Sequence, residues 1–390
     1  MPVIEPIGRR HAIPILYTRG THYEVGFDVG RTFAALIHSF VDSFKSLNEE
    51  YIPAYQTPDG RKAYEDTLNS VKINFPQYVR ELEGTADGAR VPFYKLFLLH
   101  MDRITTYAAG MENASEPVGC SSICVNQPGH ETLGHTEDAL SETLNHFYFV
   151  SAHVITDKPQ GRWGVTEERF TSLCYAGCLP GYTMSYNHHG MVFSINTLSA
   201  KHLIPGKTPR TFITRALLSA ENFAQAQQIL RDPGCGAADG CSINMTFLQQ
   251  EGDRLFHNAE MAPADESKNS QLNILTASPG EQLMHCNSYL RLPIQQQDGG
   301  MLESSEARMC TLKSYPKALT KKDVIQMLGD HSDKKNPVFR DLGPEDIVKT
   351  IAVGIFDCVA KTWSIYADNP RKTEPLVVLP LVLKSKSKEY

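Results

Sequence analysis

The hydrophobic period of the chain changes once, at Gly119-Cys120, and that change limits the folds open to it. Before the pair, apolar residues recur at helical spacing; after it, they come in short strand-like runs broken by glycine, proline and asparagine. Val29, Phe33, Leu36, Ile37, Phe40, Val41 and Phe44 form one apolar stripe. The stripe predicts a single long helix, opened by Thr21 and Glu24 at capping-box spacing. Pro58-Asp59-Gly60 reads as a connection, after which helical patterns return at 62–73, 78–87 and 93–101; Pro117 closes the helical part. Beyond Cys120, strands are expected at 121–125, 133–136, 147–156, 169–176, 191–196, 242–248, 254–259, 350–357 and 362–368, with a turn-rich stretch at 177–190. Helices are expected at 211–220, at 223–230 with Asn222 as N-cap, and at 322–328; 384–390 reads as a polar tail. No internal repeat or linker divides the chain. The pattern predicts an α+β protein with two antiparallel sheets between helical layers.

A net charge of −6 over 390 residues argues against a nucleic-acid partner and suits a cationic one. No apolar run approaches the roughly 18 residues of a membrane span. The first twenty residues hold Arg9, Arg10, His11 and three prolines instead of the apolar core of a secretion signal. Nine cysteines in such a chain predict reduced thiols and a cytoplasmic setting.

The chemistry concentrates at the junction itself. Gln127-Pro128-Gly129-His130-Glu131 reads as a hairpin turn, and centring it on Gly129 places Cys120 opposite Asp138, with Glu137 alongside. A thiol one residue from the Gly119 carbonyl can attack it, and glycine tolerates the backbone geometry that attack requires. Cleavage at Gly119–Cys120 would free an amine with a reference pKa of about 7.7–8.0, close enough to neutrality to act as base for its own thiol. Asn244, at the head of a strand after a Gly/Ala-rich loop, is a candidate oxyanion donor, and His135 and Glu137 are candidates to orient Asp138 or a substrate amine.

Plainer readings compete: a buried thiol for Cys120, a turn carboxylate for Asp138, a satisfied strand end for Asn244. Cys120 and Cys124, Cys174 and Cys178, Cys235 and Cys241 invite a metal reading. On a strand, however, Cys120 and Cys124 stand about 13 Å apart, so no metal and no cofactor is expected. His188-His189 reads as part of a turn.

Several stretches carry a family resemblance: Leu16-Tyr17-Thr18-Arg19-Gly20-Thr21-His22-Tyr23-Glu24-Val25-Gly26, Phe75-Pro76-Gln77-Tyr78-Val79-Arg80-Glu81-Leu82-Glu83-Gly84, Gly134-His135-Thr136-Glu137-Asp138-Ala139-Leu140, Glu142-Thr143-Leu144-Asn145-His146 and Thr350-Ile351-Ala352-Val353-Gly354-Ile355-Phe356-Asp357. From about residue 16 to 370 the chain resembles the N-terminal-nucleophile amidases of the acyl-coenzyme A:6-aminopenicillanate acyltransferase family. The resemblance implies a four-layer αββα sandwich. It implies autoproteolysis into an α chain, 1–119, and a β chain, 120–390, that stay together as one heterodimeric domain. It also implies hydrolysis of β-alanyl amides of biogenic amines, releasing β-alanine with dopamine or histamine. The family's nucleophile falls on Cys120, its aspartate on Asp138 and its oxyanion asparagine on Asn244; its substrate-side Ser and Arg fall on Ser305 and Arg308. A β-alanyl amide carries an ammonium and no carboxylate, so Arg308 has no evident substrate partner. Acyl transfer to an amine acceptor, or a silent binding relative, are the alternatives to hydrolysis.

Overall fold

The computed structural model describes residues 8–9, 11–111, 119–343 and 346–385. Pro117 and the last five residues of the polar tail lie outside them. Among the described residues the strands run β1 (Ile15–Gly20), β2 (Gly119–Val125), β3 (Thr132–Leu140), β4 (Phe147–Gln160), β5 (Val165–Tyr175), β6 (Met184–Asn187) and β7 (Met191–Leu198). They continue as β8 (Gly240–Phe247), β9 (Phe256–Ala264), β10 (Ser270–Ala277), β11 (Gln282–His285), β12 (Val348–Asp357), β13 (Thr362–Tyr366) and β14 (Val377–Pro380). One sheet has the order β1-β4-β5-β6-β7-β8-β9-β10 and the other β11-β2-β3-β12-β13-β14. Neighbours are antiparallel, as in β2–β3, except for the parallel pair β1–β4.

Three apolar layers hold the sandwich together. On the outer face of the eight-stranded sheet, Val25, Ile37, Leu82 and Leu98 of the N-terminal helices pack with Val150, Phe193 and Met245. Between the sheets, Phe149, Leu173 and Val192 meet Leu133, Phe356 and Trp363. On the far side, Met309, Leu312, Val324 and Leu328 cover Ile123, Val125, Val353 and Ile355. Each sheet therefore buries both faces, and the architecture is αββα, as expected.

Local signals explain most element boundaries. Thr21 and Glu24 form their capping box at the start of the helix His22–Thr32, and Asn222 and Thr320 cap the helices Phe223–Arg231 and Lys321–Leu328. The long stripe is instead two helices, His22–Thr32 and Ala34–Ser43, broken at Phe33. The Phe33 ring stacks on Tyr148 of β4 at 3.9 Å, so packing on the sheet decides where the helix bends. Pro58-Asp59-Gly60 is no connection but the first turn of the helix Pro58–Asn74: Thr57 Oγ1 accepts the Gly60 N–H at 3.0 Å, and proline suits the first helical position. The turn-rich stretch 177–190 contains β6. Among the described residues, no helix is long and apolar enough to cross a membrane.

Candidate active site

The β2–β3 hairpin places the thiol. Its turn has two central residues, Pro128 and Gly129, closed by the His130 N–H on Gln127 O at 2.8 Å, with Gly129 at φ 81°. The centre therefore falls between Pro128 and Gly129 and not on Gly129, which shifts the register by one. Cys120 pairs with Glu137, and Gly119 pairs with Asp138. The expectation that Cys120 faces Asp138 is thus corrected: the carboxylate across from the thiol is that of Glu137.

Cys120 Sγ lies 3.8 Å from Glu137 Oε2. The same oxygen meets His135 Nε2 at 3.0 Å, and the Tyr175 hydroxyl donates to Oε1. Asp138 accepts the Thr350 hydroxyl at 2.6 Å across β3–β12. The Cys120 N–H donates to Asn287 Oδ1 at 2.8 Å. Its carbonyl accepts Arg308 Nη1 at 2.7 Å and Asn196 Nδ2 at 3.0 Å. Arg308 Nη2 also donates to Asn287 Oδ1 at 2.7 Å. A Cβ on Gly119 would come within 2.3 Å of Asn287 Oδ1 and 2.6 Å of Arg308 Nη2, so any larger residue before the cysteine must push these two side chains from their places on Cys120.

The environment shifts two of these groups upward. Burial, then the Glu137 and Asp138 carboxylates, push the Cys120 thiol well above its ordinary value. Burial pushes the Asp138 carboxyl up to about 6, against the pull of Arg308 and the Thr350 hydroxyl. Gly119, Cys120, Glu137 and Asp138 line a cavity of about 260 Å³ that Phe40, Phe44 and Asp102 also line.

The other expected residues divide. Arg308 touches the backbone of Cys120 directly, which supplies the partner that a substrate carboxylate would have been. Ser305 acts one step back: its Oγ accepts the Asn287 N–H at 2.9 Å. Asn244 does not reach Cys120. It sits mid-strand in β8, donating to Asn196 Oδ1 at 2.7 Å and accepting from Asn258 Nδ2 at 2.8 Å. The asparagines that touch Cys120, Asn287 and Asn196, were missed. Asn196 lies on a strand that was expected, but Asn287 follows β11 in an irregular segment with no local signal.

Cys120, His135 and Glu137 present one ligand atom each within 4.8 Å of one another. Those atoms already hydrogen-bond among themselves. All nine cysteines are unpaired. His188 and His189 occupy the turn between β6 and β7, away from the cavity.

Two stacked sheets between helical layers make a four-layer αββα sandwich, with the buried Cys120 near the head of β2. The chain belongs to the acyl-coenzyme A:6-aminopenicillanic acid acyl-transferase family, whose model matches residues 125–372. It is 56% identical over 380 residues to the beta-alanyl-dopamine/carcinine hydrolase of Drosophila melanogaster, covering 96% of this chain and 98% of that one. Among solved structures it is similar to a mutant of the conjugated bile acid hydrolase from Clostridium perfringens (10% identity, TM-score 0.33, 69% of this chain and 100% of that one). It is also similar to the penicillin V acylase from Agrobacterium tumefaciens (11% identity, TM-score 0.36, 64% and 82%). At that distance the structural likenesses bear on neither substrate nor mechanism.

Proposed function

We propose that this chain is a self-processing cysteine amidohydrolase. It cuts its own Gly119–Cys120 bond, then hydrolyses N-β-alanyl-dopamine to β-alanine and dopamine, and N-β-alanyl-histamine (carcinine) to β-alanine and histamine. The near-full-length identity to the Drosophila hydrolase supports the substrates. The observation that carries the reading is the Glu137 carboxylate 3.8 Å from the Cys120 thiol on the cavity wall. In a β-alanyl amide the ammonium sits two methylenes from the carbonyl. A carbonyl over Sγ therefore leaves the ammonium within reach of Glu137.

After cleavage the Cys120 nitrogen is an amine, held where Asn287 now holds the amide, and it takes the thiol's proton. The thiolate attacks the amide carbonyl, the biogenic amine leaves, and water resolves the thioester. Arg308 and Asn196 fix the Cys120 carbonyl so that thiol and amine keep their positions. Asp138, opposite Gly119, faces the new terminus. Asn287 meets the Cys120 nitrogen with its acceptor oxygen while its amide nitrogen donates to Thr197 O at 2.9 Å, so it holds the new terminus and is not placed as the oxyanion donor. Segments 1–119 and 120–390 remain one unit, tied by the β1–β4 pairing, by the buried ion pair of Glu81 with Arg215 and by the buried hydrogen bond between His22 and Glu168.

Intact-mass measurement of the purified protein tests this. Cutting divides 43.5 kDa into fragments of roughly 13 and 30 kDa, in proportion to their lengths. Cys120→Ala should leave one chain and no hydrolysis of β-alanyl-dopamine. An uncut wild-type chain with full activity would overturn the mechanism.

A further inference from the structure

Self-cleavage needs a proton acceptor that turnover does not. In the uncut chain the Cys120 nitrogen is an amide: its lone pair is delocalised into the peptide bond, and its one hydrogen is already given to Asn287 Oδ1. It cannot take the thiol's proton. The thiol is buried beside two carboxylates and does not ionise unaided near neutrality.

Among the described residues Asp138, His135 and Glu137 are the candidate proton acceptors beside it, and their hydrogen bonds separate them. Asp138 is committed to Thr350 and stands opposite Gly119, not opposite the thiol. The two ring nitrogens of His135 are occupied by Ser122 Oγ at 2.8 Å and by Glu137 Oε2 at 3.0 Å. Glu137 Oε2 is the carboxylate oxygen in contact with Sγ, and Tyr175 steadies the other oxygen, Oε1. The one-residue register set by the Pro128-Gly129 turn is what puts Glu137 in that place.

We propose that Glu137 is the base for cleavage of the Gly119–Cys120 bond, with His135 and Tyr175 as its positioning residues; this rests on the reading that this bond is the one cut. The Sγ–H proton passes to Glu137 Oε2, and the thiolate sulfur bonds to the Gly119 carbonyl carbon. The tetrahedral adduct collapses as the carbon–nitrogen bond breaks and the proton returns from Glu137 to the departing Cys120 nitrogen. This leaves a thioester between Gly119 and Sγ beside a free amine. Water adds to the thioester carbonyl and the sulfur leaves as thiol, so that one water is consumed and Gly119 ends as a carboxylate. From then on the new amine serves as base, and Glu137 is released to face the substrate ammonium. One carboxylate thus acts first on the protein's own bond and afterwards on the ligand.

The test follows cutting of the newly synthesised full-length chain over time by intact mass. Glu137→Gln should slow cutting by about 10²-fold or more, the range of a lost general base. Glu137→Ala should be equally slow and should speed up with added formate, in proportion to its concentration. Circular dichroism against Cys120→Ala establishes that both variants are folded. A folded Glu137→Gln chain cut at the wild-type rate overturns the proposal. So does a folded Glu137→Ala chain that formate does not accelerate, since a structural role is not rescued by a free carboxylate. A wild-type chain that stays whole removes the self-cleavage reading itself, an outcome distinct from either.

Discussion

Around Arg215 and around Cys120 the fold buries acidic side chains to the same depth, yet it treats them in opposite ways. Arg215 is fully enclosed between the helix Pro76–Ala89 and β5. It donates to Glu81 Oε2 and to Glu168 Oε2, each at 2.7 Å, and lies over the rings of Tyr78 and Phe170. Glu168 also accepts Tyr78 at 2.8 Å and meets His22 at 3.2 Å. Burial pulls the Glu168 carboxyl up, but Arg215 and His22 overcome it and hold the group well below the usual carboxylate range. At the cavity, the guanidinium of Arg308 is equally buried, but its fork points at neutral acceptors: the Cys120 carbonyl, Ser121 Oγ and Asn287 Oδ1. Asp138 is left with a hydroxyl partner and moves up to about 6. Depth is common to both regions. The aim of the guanidinium decides whether a buried acid is pacified or kept reactive.

The sharpest way to break that contrast is Arg215→Met, which strands Glu81 and Glu168 without a counter-ion. It should cost about 3–5 kcal/mol of stability in urea unfolding on an uncut Cys120→Ala background. A loss under about 1 kcal/mol would show that the cluster does not tie the two segments together. Arg308→Met removes a fork aimed at the nucleophile's backbone. Its effect should fall on kcat for β-alanyl-dopamine, about 10²- to 10³-fold, with the cut segments still associated; a change confined to KM would contradict the placement.

The smallest effect is one of sign with pH. The folded Asp138 holds its proton up to about pH 6, against an ordinary value of 3.8. Between those values the folded state binds more protons than the unfolded one, so this group's contribution to stability falls as pH rises from about 4 to about 6, by roughly 2–3 kcal/mol. Glu168, with its pKa depressed, contributes stability that is complete above about pH 4.5 and is lost as pH falls below. Asp138→Asn should flatten the first slope and Glu168→Gln the second, read from urea midpoints between pH 3 and 7. Identical profiles for Asp138→Asn and wild type would remove the difference between the regions.

Much of the frame was legible because it is written locally. Thr21 with Glu24, and Asn222, cap helices through their own neighbours, and β2, β3, β8 and β12 show as short runs bounded by turn residues. The helix Gly300–Ser314 was missed for a physical reason. It turns Ser304, Ser305 and Arg308 inward toward the site, so only Met309 and Leu312 near its end are apolar on the buried face and the stripe is too short to show. β10 was hidden in the same way, being mixed and half-exposed at a sheet edge.

By itself, the sequence determined that a helical half meets a strand-rich half at Gly119-Cys120, and that the cysteine heads a hairpin whose other strand is acidic. Periodicity, caps and turn residues act over a few positions, and one chain displays them. The tertiary structure alone decided that the acid across from the thiol is Glu137 and not Asp138, because one residue in the turn centre sets the whole register. It alone brought Asn287 and Arg308 onto Cys120 across separations of 167 and 188 residues. It also set Asn244 one side chain too far away. No local preference encodes such meetings; they exist only once two sheets and their helices have packed.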